Sequence, residues 1–135
     1  MKFAVNPRNP VPLYLQIVEQ VRRLIALAAL TPGDRFLTVR ELAARAGVNR
    51  NTAARAVAEL ERAGQLRTWV GRGTFVAESA PTITSAERER ALDAAVESLL
   101  VEAHALGVPP EELGWKIQRK LEEFARARRE PDVLG

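Results

Sequence analysis

Cysteine is absent from this 135-residue sequence, and histidine occurs once, at His104. Without cysteine there is no disulfide framework, and one histidine is too few for a zinc site built within one chain. No apolar run is long enough to span a bilayer, and the first residues lack the apolar core of a secretory signal. We therefore expect a soluble, cytoplasmic protein with no membrane partner, no metal site and no cofactor.

The residue groupings that carry catalysis are also missing. The carboxylate pairs Glu111-Glu112 and Glu122-Glu123 are adjacent in helical patterns, so their side chains diverge and suit neither acid/base work nor metal bridging. The sequence contains no phosphate loop, nucleophile elbow or histidine cluster. It therefore predicts a binding protein and not an enzyme.

Charge is distributed unevenly along the chain, although the net charge is only +3. Residues 1–80 contain 12 Lys and Arg against 6 Asp and Glu, whereas residues 81–135 contain 8 against 11. A basic first part is typical of a head that binds a polyanion. Ordinary solvated surface charge gives the same pattern, so this alternative stays open.

Three helices are predicted before residue 64. Apolar residues at helical spacing predict a first helix from about Pro12 to Leu30. The second helix is expected to begin at Thr38, where Glu41 completes a capping box, and to end at Gly47. The third is expected to run from an N-cap at Asn49 to about residue 63, and it buries a stripe of small and branched residues: Ala53, Ala56, Val57 and Leu60.

Two short strands follow, at residues 66–70 and 74–77, joined by Gly71-Arg72-Gly73, whose glycines permit a tight hairpin. The order of helix, helix, helix and hairpin is that of a winged helix-turn-helix domain, which we assign to residues 1–78. The expected fold class is mainly α with a small β-hairpin, in which this domain is followed by a two-helix dimerisation tail.

The start of the third helix has side chains suited to reading DNA. A helix N-terminus in the major groove offers unpaired amides to phosphate, while polar side chains of its first turn reach base edges. Arg50 and Asn51 can each make two hydrogen bonds to a base, whereas Arg40 is placed for phosphate. Asn49 and Thr52 could instead only cap the helix, and Arg72 could be a solvated turn residue. The candidate DNA-binding residues are Thr38, Arg40, Asn49, Arg50, Asn51, Thr52, Arg55, Gly71, Arg72 and Gly73.

The second part of the chain is predicted to mediate self-association. Residues 79–85 form a linker by composition, with Ser85 expected to cap the next helix, and residues 86–130 form a helical hairpin interrupted at Gly107. Two amphipathic helices cannot bury both their apolar faces alone, so a second copy is expected to cover them. Packing of Trp115 against the winged domain is the alternative. The candidate dimerisation residues are Leu92, Val96, Leu99, Leu113, Trp115, Ile117 and Leu121.

Several motifs of the first 77 residues, in their order and spacing, resemble the N-terminal domain of GntR-family bacterial transcription regulators. They are Pro12-Leu13-Tyr14, Pro32-Gly33-Asp34-Arg35, Thr38-Val39-Arg40-Glu41-Leu42-Ala43, Val48-Asn49-Arg50-Asn51-Thr52 and Gly71-Arg72-Gly73-Thr74-Phe75-Val76. The resemblance implies DNA contacts at Arg40, Arg50 and around Gly71. Many members have an arginine where Ala54 stands; here the arginine follows at position 55, about 100° round the helix.

The short tail resembles that of the YtrA-type branch of the family, whose members pair through it. The resemblance implies a sequence-specific transcriptional regulator, a homodimeric repressor that binds double-stranded DNA at an inverted-repeat operator. A winged module used for protein–protein or RNA contact is the alternative, since fold alone does not fix function. The sequence leaves open whether a small-molecule effector binds; if one does, we expect it in the dimer cleft near Trp115.

Overall fold

The computed structural model describes residues 1–78 and 83–129, so positions 79–82 of the expected linker and residue 130 of the expected hairpin lie outside the described residues. Two compact units are present, one around residues 1–78 and one around residues 83–126. The elements are α1 (Leu13–Ala26), α2 (Val39–Ala46), α3 (Arg50–Arg62), β1 (Leu66–Trp69), β2 (Gly73–Val76), α4 (Ser85–Ala105) and α5 (Pro110–Arg129). The predicted fold class, mainly α with a small β-hairpin and a two-helix tail, is confirmed.

Helix α1 ends four residues before the predicted position, at Ala26 instead of Leu30. Ala28 adopts a left-handed conformation with φ 60°. As a result, the amides of Ala29 and Leu30 both donate to the Leu24 carbonyl oxygen, at 2.9 and 3.2 Å, and close the helix. The reversal directs the Leu30 side chain into the core, where it is buried.

The core of the first unit is built on the small residues of α3. The four residues predicted to be buried in this helix are all buried, and they pack with residues of α1 and α2. Alanines at positions 53 and 56 let the helix backbones approach closely. The largest side chains that this packing buries completely are Ile17, Val21, Leu42 and Leu60.

The first residues of the chain are attached to α1 by two glutamines. The Gln20 side-chain amide accepts from the Ala4 N–H at 3.0 Å and donates to the Ala4 carbonyl oxygen at 2.6 Å. Gln16 pairs in the same way with the backbone of Asn6. Phe3 is thereby held in the core. The backbone N–H and carbonyl groups of Ala4 and Asn6 are thus satisfied by side-chain amides.

Strands β1 and β2 pair antiparallel, with Leu66 opposite Val76 and Trp69 opposite Gly73. The segment before α2 adds a third edge, because Arg35 forms an antiparallel bridge with Phe75. Leu66 and Val76 are buried in the core, so alternate residues point away from it. We call this side the outer face of the wing; its residues are Arg35, Arg67, Trp69, Gly73 and Phe75.

The second unit exposes most of its apolar side chains. The cap of α4 is Thr84, whose hydroxyl oxygen accepts from the Glu87 amide at 3.0 Å; Ser85, predicted as the cap, is the first helical residue. Gly107 ends the helix region with φ 74°. Ala103 is the one buried side chain among the described residues of α4 and α5. No helix in the described ranges combines the length and apolarity needed to cross a membrane.

Candidate nucleic-acid interface

Helix α2 is fixed at both of its ends by local structure. At the start of α2, the Thr38 hydroxyl oxygen accepts from the Glu41 amide at 3.1 Å, and the Glu41 carboxylate accepts from the Thr38 amide at 2.9 Å. This is the predicted capping box. Gly47 ends the helix in the left-handed conformation, with φ 67°, as predicted. The capping box therefore fixes where α2 begins, and Gly47 fixes where it ends.

The capping box makes stability depend on pH through Glu41. The backbone hydrogen bond from Thr38, then the hydroxyl of Thr38, lower the pKa of Glu41 below its ordinary value. A carboxylate with a lowered pKa contributes its full stabilisation above the ordinary glutamate pKa of about 4.3, and loses it as the pH falls through the lowered value. We expect Glu41→Gln, which retains capping geometry, to lose less stability than the wild type on acidification in this window. Thermal melts across the acid range measure this, and parallel pH profiles for the two proteins would contradict it.

The first turn of α3 presents positive charge without acidic neighbours. Arg50 and Asn51 are exposed, and no acidic residue lies in this turn. The Asn49 side-chain oxygen accepts from the Thr52 amide at 2.8 Å, so Asn49 caps the helix as predicted. The capping bond holds the turn in register, while the two side chains that follow Asn49 remain available to meet a ligand.

Arg40, Arg50 and Arg72 of the candidate site do not form the salt bridges that some other arginines of the described residues form. Two arginines of α1 and α3 form salt bridges with a glutamate three residues earlier on the same helix: Arg22 with Glu19 and Arg62 with Glu59. Within residues 1–78 and 83–129, no carboxylate pairs with Arg40, Arg50 or Arg72. An arginine without a counter-ion keeps its donors available for phosphate or base acceptors.

The wing ends in a tight turn whose tip is open to solvent. The Arg72 amide donates to the Trp69 carbonyl oxygen at 2.9 Å, which closes the turn. Gly71 and Gly73 have φ of 79° and 118°, as expected for the glycines of this hairpin. A side chain at Gly71 would meet no atom within 4 Å. Backbone at this tip can therefore approach a ligand closely.

Arg55 has a partner that the sequence did not reveal. Its guanidinium carbon lies 4.0 Å from the ring centroid of Tyr14, which belongs to α1. A cation over an aromatic face is attracted to it, so this stack orients Arg55 toward the start of α1. The contact joins residues 41 positions apart, and spacing within α3 gives no signal for it.

The candidate dimerisation residues lie on the surface of the second unit. Trp115 is 76% exposed, and the other candidates of α4 and α5 are exposed except Leu113, which is partly buried. An apolar cleft of about 310 Å³ opens within this unit, and Trp115 is not among its lining residues. They are Leu100, Ala103, His104, Val108, Pro110, Leu113, Gly114 and Ile117. No group of three or more potential metal ligands occurs in the described part of the chain.

Helices α2 and α3, the turn at Gly47 and the wing together define a winged helix-turn-helix protein. Residues 13–76 match the family described as bacterial regulatory proteins, gntR family. The chain is 37% identical over 109 residues to the HTH-type transcriptional repressor YtrA of Bacillus subtilis (strain 168). The aligned region covers 81% of this chain and 84% of the relative. The chain belongs to the gntR family, is a transcriptional regulator, and is of the YtrA type.

Solved structures share the fold. A transcriptional antiterminator from Listeria monocytogenes EGD-e is 29% identical, with a TM-score of 0.78 over 92% of each chain. The DNA-binding domain of AraR in complex with operator ORX1 is 30% identical, with a TM-score of 0.52, over 57% of this chain and 99% of that one. The second of these was solved with operator DNA bound.

Proposed function

We propose that this chain binds duplex DNA sequence-specifically, as a homodimeric repressor at an inverted-repeat operator in the cytoplasm. The observation that carries the proposal is the first turn of α3, where Arg50 and Asn51 are exposed, the turn itself contains no acidic residue and Asn49 fixes the helix start. The repressor YtrA and the operator-bound AraR domain support this function.

In this proposal some site residues contact bases and others contact the sugar-phosphate backbone of DNA. Arg50 and Asn51 read base edges in the major groove, where arginine suits guanine and asparagine suits adenine. Arg40, at the start of α2, and Arg55, on the Tyr14 ring, contact phosphate. Arg72 enters the minor groove at the tip of the wing.

The remaining candidates position these side chains. Thr38 and Asn49 cap α2 and α3, and Thr52 supplies the amide that Asn49 binds. Gly71 and Gly73 keep the tip narrow, because both adopt backbone conformations that other residues adopt only with strain.

The second unit supplies the pairing in this proposal. Apolar side chains along α4 and α5 stay exposed in one chain, and a second copy would bury them. Residues 1–78 then form the reading head, residues 79–85 the linker, and residues 86–130 the dimerisation hairpin. Two heads related by symmetry match two half-sites of an inverted repeat.

A salt titration tests the proposal against a winged module that contacts protein or RNA. With a duplex of arbitrary sequence, we expect the logarithm of the binding constant to fall linearly with the logarithm of salt concentration, because bound phosphates release counterions. Selection from a random duplex pool should then enrich an inverted repeat. No binding to any duplex at low salt, or tighter binding to an RNA hairpin than to the selected duplex, would refute the proposal.

A further inference from the structure

The outer face of the wing contains an arginine stacked on a tryptophan. The guanidinium carbon of Arg67 lies 4.5 Å from the ring centroid of Trp69. Because the two residues are separated by one position in β1, their side chains share a face of the strand. Trp69 is 49% exposed, so the stack lies at the surface and not in the core. The attraction between the guanidinium and the ring favours conformations in which Arg67 lies over Trp69.

A second arginine reaches the same face from the segment before α2. The backbone of Arg35 is bridged to Phe75, and its guanidinium extends across β2 to Gly73. A Cβ atom added at Gly73 would lie 3.2 Å from Nη2 of Arg35. Since Gly73 is directly opposite Trp69, this guanidinium and the indole lie on one side of the sheet. The missing side chain at position 73 makes the room for it.

Neither Arg35 nor Arg67 forms a salt bridge with a carboxylate of the described residues, although the charge of Arg35 contributes to lowering the pKa of Glu41. The acids closest in sequence to Arg35 are committed to backbone amides. Asp34 Oδ2 accepts from the Thr31 amide at 2.8 Å, and Glu41 Oε1 accepts from the Thr38 amide at 2.9 Å. Two positive charges therefore flank one half-exposed indole.

From these contacts we propose that the outer face of the wing is a clamp for the phosphate backbone of duplex DNA, formed by Arg35 and Arg67 and held in shape by Trp69 and Gly73. The inference rests on the proposed function and adds a site to it. Guanidinium groups bind phosphate through parallel hydrogen bonds, and a planar group fixed by a ring loses less freedom on binding. The clamp carries no sequence information, because phosphates are alike at every base pair.

Position within the hairpin favours DNA over an acidic protein segment as the ligand. Trp69 and Gly73 directly flank the tip that holds Arg72. The minor groove is about 6 Å wide and paired strands lie about 4.8 Å apart, so a tip in the groove brings its flanking strands to the phosphates at the groove edge. The outer face of the wing then lies against one of the two rows of phosphates that border the minor groove.

The test is the salt dependence of binding to a duplex of arbitrary sequence, measured with the full chain. A variant that binds one phosphate fewer should have a log–log slope that is smaller by about 0.9. We expect this reduction for Arg35→Ala and for Arg67→Ala, with equal loss of affinity on operator and arbitrary duplexes. Arg22→Ala, which removes a charge already paired with Glu19, is the matched control and should leave the slope unchanged.

Tryptophan emission gives a second readout that does not depend on these variants. The chain has two tryptophans, Trp69 and Trp115, and the variant Trp69→Phe separates their signals. We expect DNA to change the emission of the wild type but not that of Trp69→Phe. Arg67→Lys, which keeps the charge but not the flat stacking group, should retain part of the slope. It also serves if Arg67→Ala fails to fold, as judged by circular dichroism.

The possible results separate this inference from the proposed function. A wild type that binds no duplex would overturn both. Wild-type binding with unchanged slopes in Arg35→Ala and Arg67→Ala would overturn the clamp alone. A change in Trp69 emission that polyglutamate induces but duplex DNA does not would also overturn the clamp, because the ligand would then be an acidic polypeptide.

Discussion

Replacement of Leu99 and Leu121 by aspartate is expected to give monomers that bind a two-half-site operator about 10²–10⁴ times more weakly than the wild type. Linking two reading heads makes the second binding event intramolecular, which gains about this factor. Both leucines are exposed in the single chain, at 43% and 60%, so the change should disturb pairing more than folding. Light scattering measures the mass, and titration with the operator measures the affinity.

A matched variant and a matched duplex make this result specific. Arg90→Asp places the new charge on the same helix, about half a turn round from Leu99, and should leave the dimer intact. A duplex with a single half-site should show little difference between the wild type and the double variant. The pairing role of α4 and α5 is wrong if the double variant stays dimeric, or becomes monomeric with undiminished operator affinity.

Arg50→Ala is expected to weaken operator binding by about 1–3 kcal/mol for each half-site, and to relax selectivity at one base position. Its side chain is exposed in the first turn of α3 and has no carboxylate partner among the described residues. Removing it therefore leaves the fold of the free protein intact and deletes a contact made only with DNA. Binding to duplexes substituted at each position of the operator measures both effects.

Arg62→Ala is the control for this experiment, because Arg62 lies in the last turn of the same helix and pairs with Glu59. It should leave both affinity and selectivity almost unchanged. A uniform loss of affinity across all duplexes in Arg50→Ala would show a phosphate contact and exclude base reading by this residue. An unchanged affinity would remove Arg50 from the interface.

The elements that the sequence predicted well are those fixed by neighbours in the chain. The capping box of Thr38 and Glu41, the stop at Gly47 and the cap at Asn49 each depend on residues within four positions. Their side chains have few alternatives in a short turn, so the pattern defines the structure. The same holds for the glycines of the wing.

The features that the sequence did not predict depend on tertiary contacts. Helix α1 was expected to continue to Leu30, but burial of that leucine favours a reversal at Ala28, which is an unusual residue for a left-handed position. Ser85 and Thr84 are both good caps, and composition cannot choose between neighbours.

Three parts of the candidate site also depend on such contacts. The stack of Arg55 on Tyr14 joins separate helices, and the approach of Arg35 to Gly73 joins a loop to a strand. Arg67 and Trp69 are close in sequence, but their stacking depends on which side of β1 faces the core. No periodicity in the sequence specifies these arrangements.

The alanines on the buried side of α3 restrict how such a regulator can be retargeted. Ala53 and Ala56 are completely buried, so a larger residue at either position would push the whole helix outward and displace its exposed first turn. In the proposed binding mode, substitution of Arg50 or Asn51 would change operator preference one base at a time. If base reading follows that mode, the close packing at Ala53 and Ala56 would confine variation in specificity to the exposed first turn of α3.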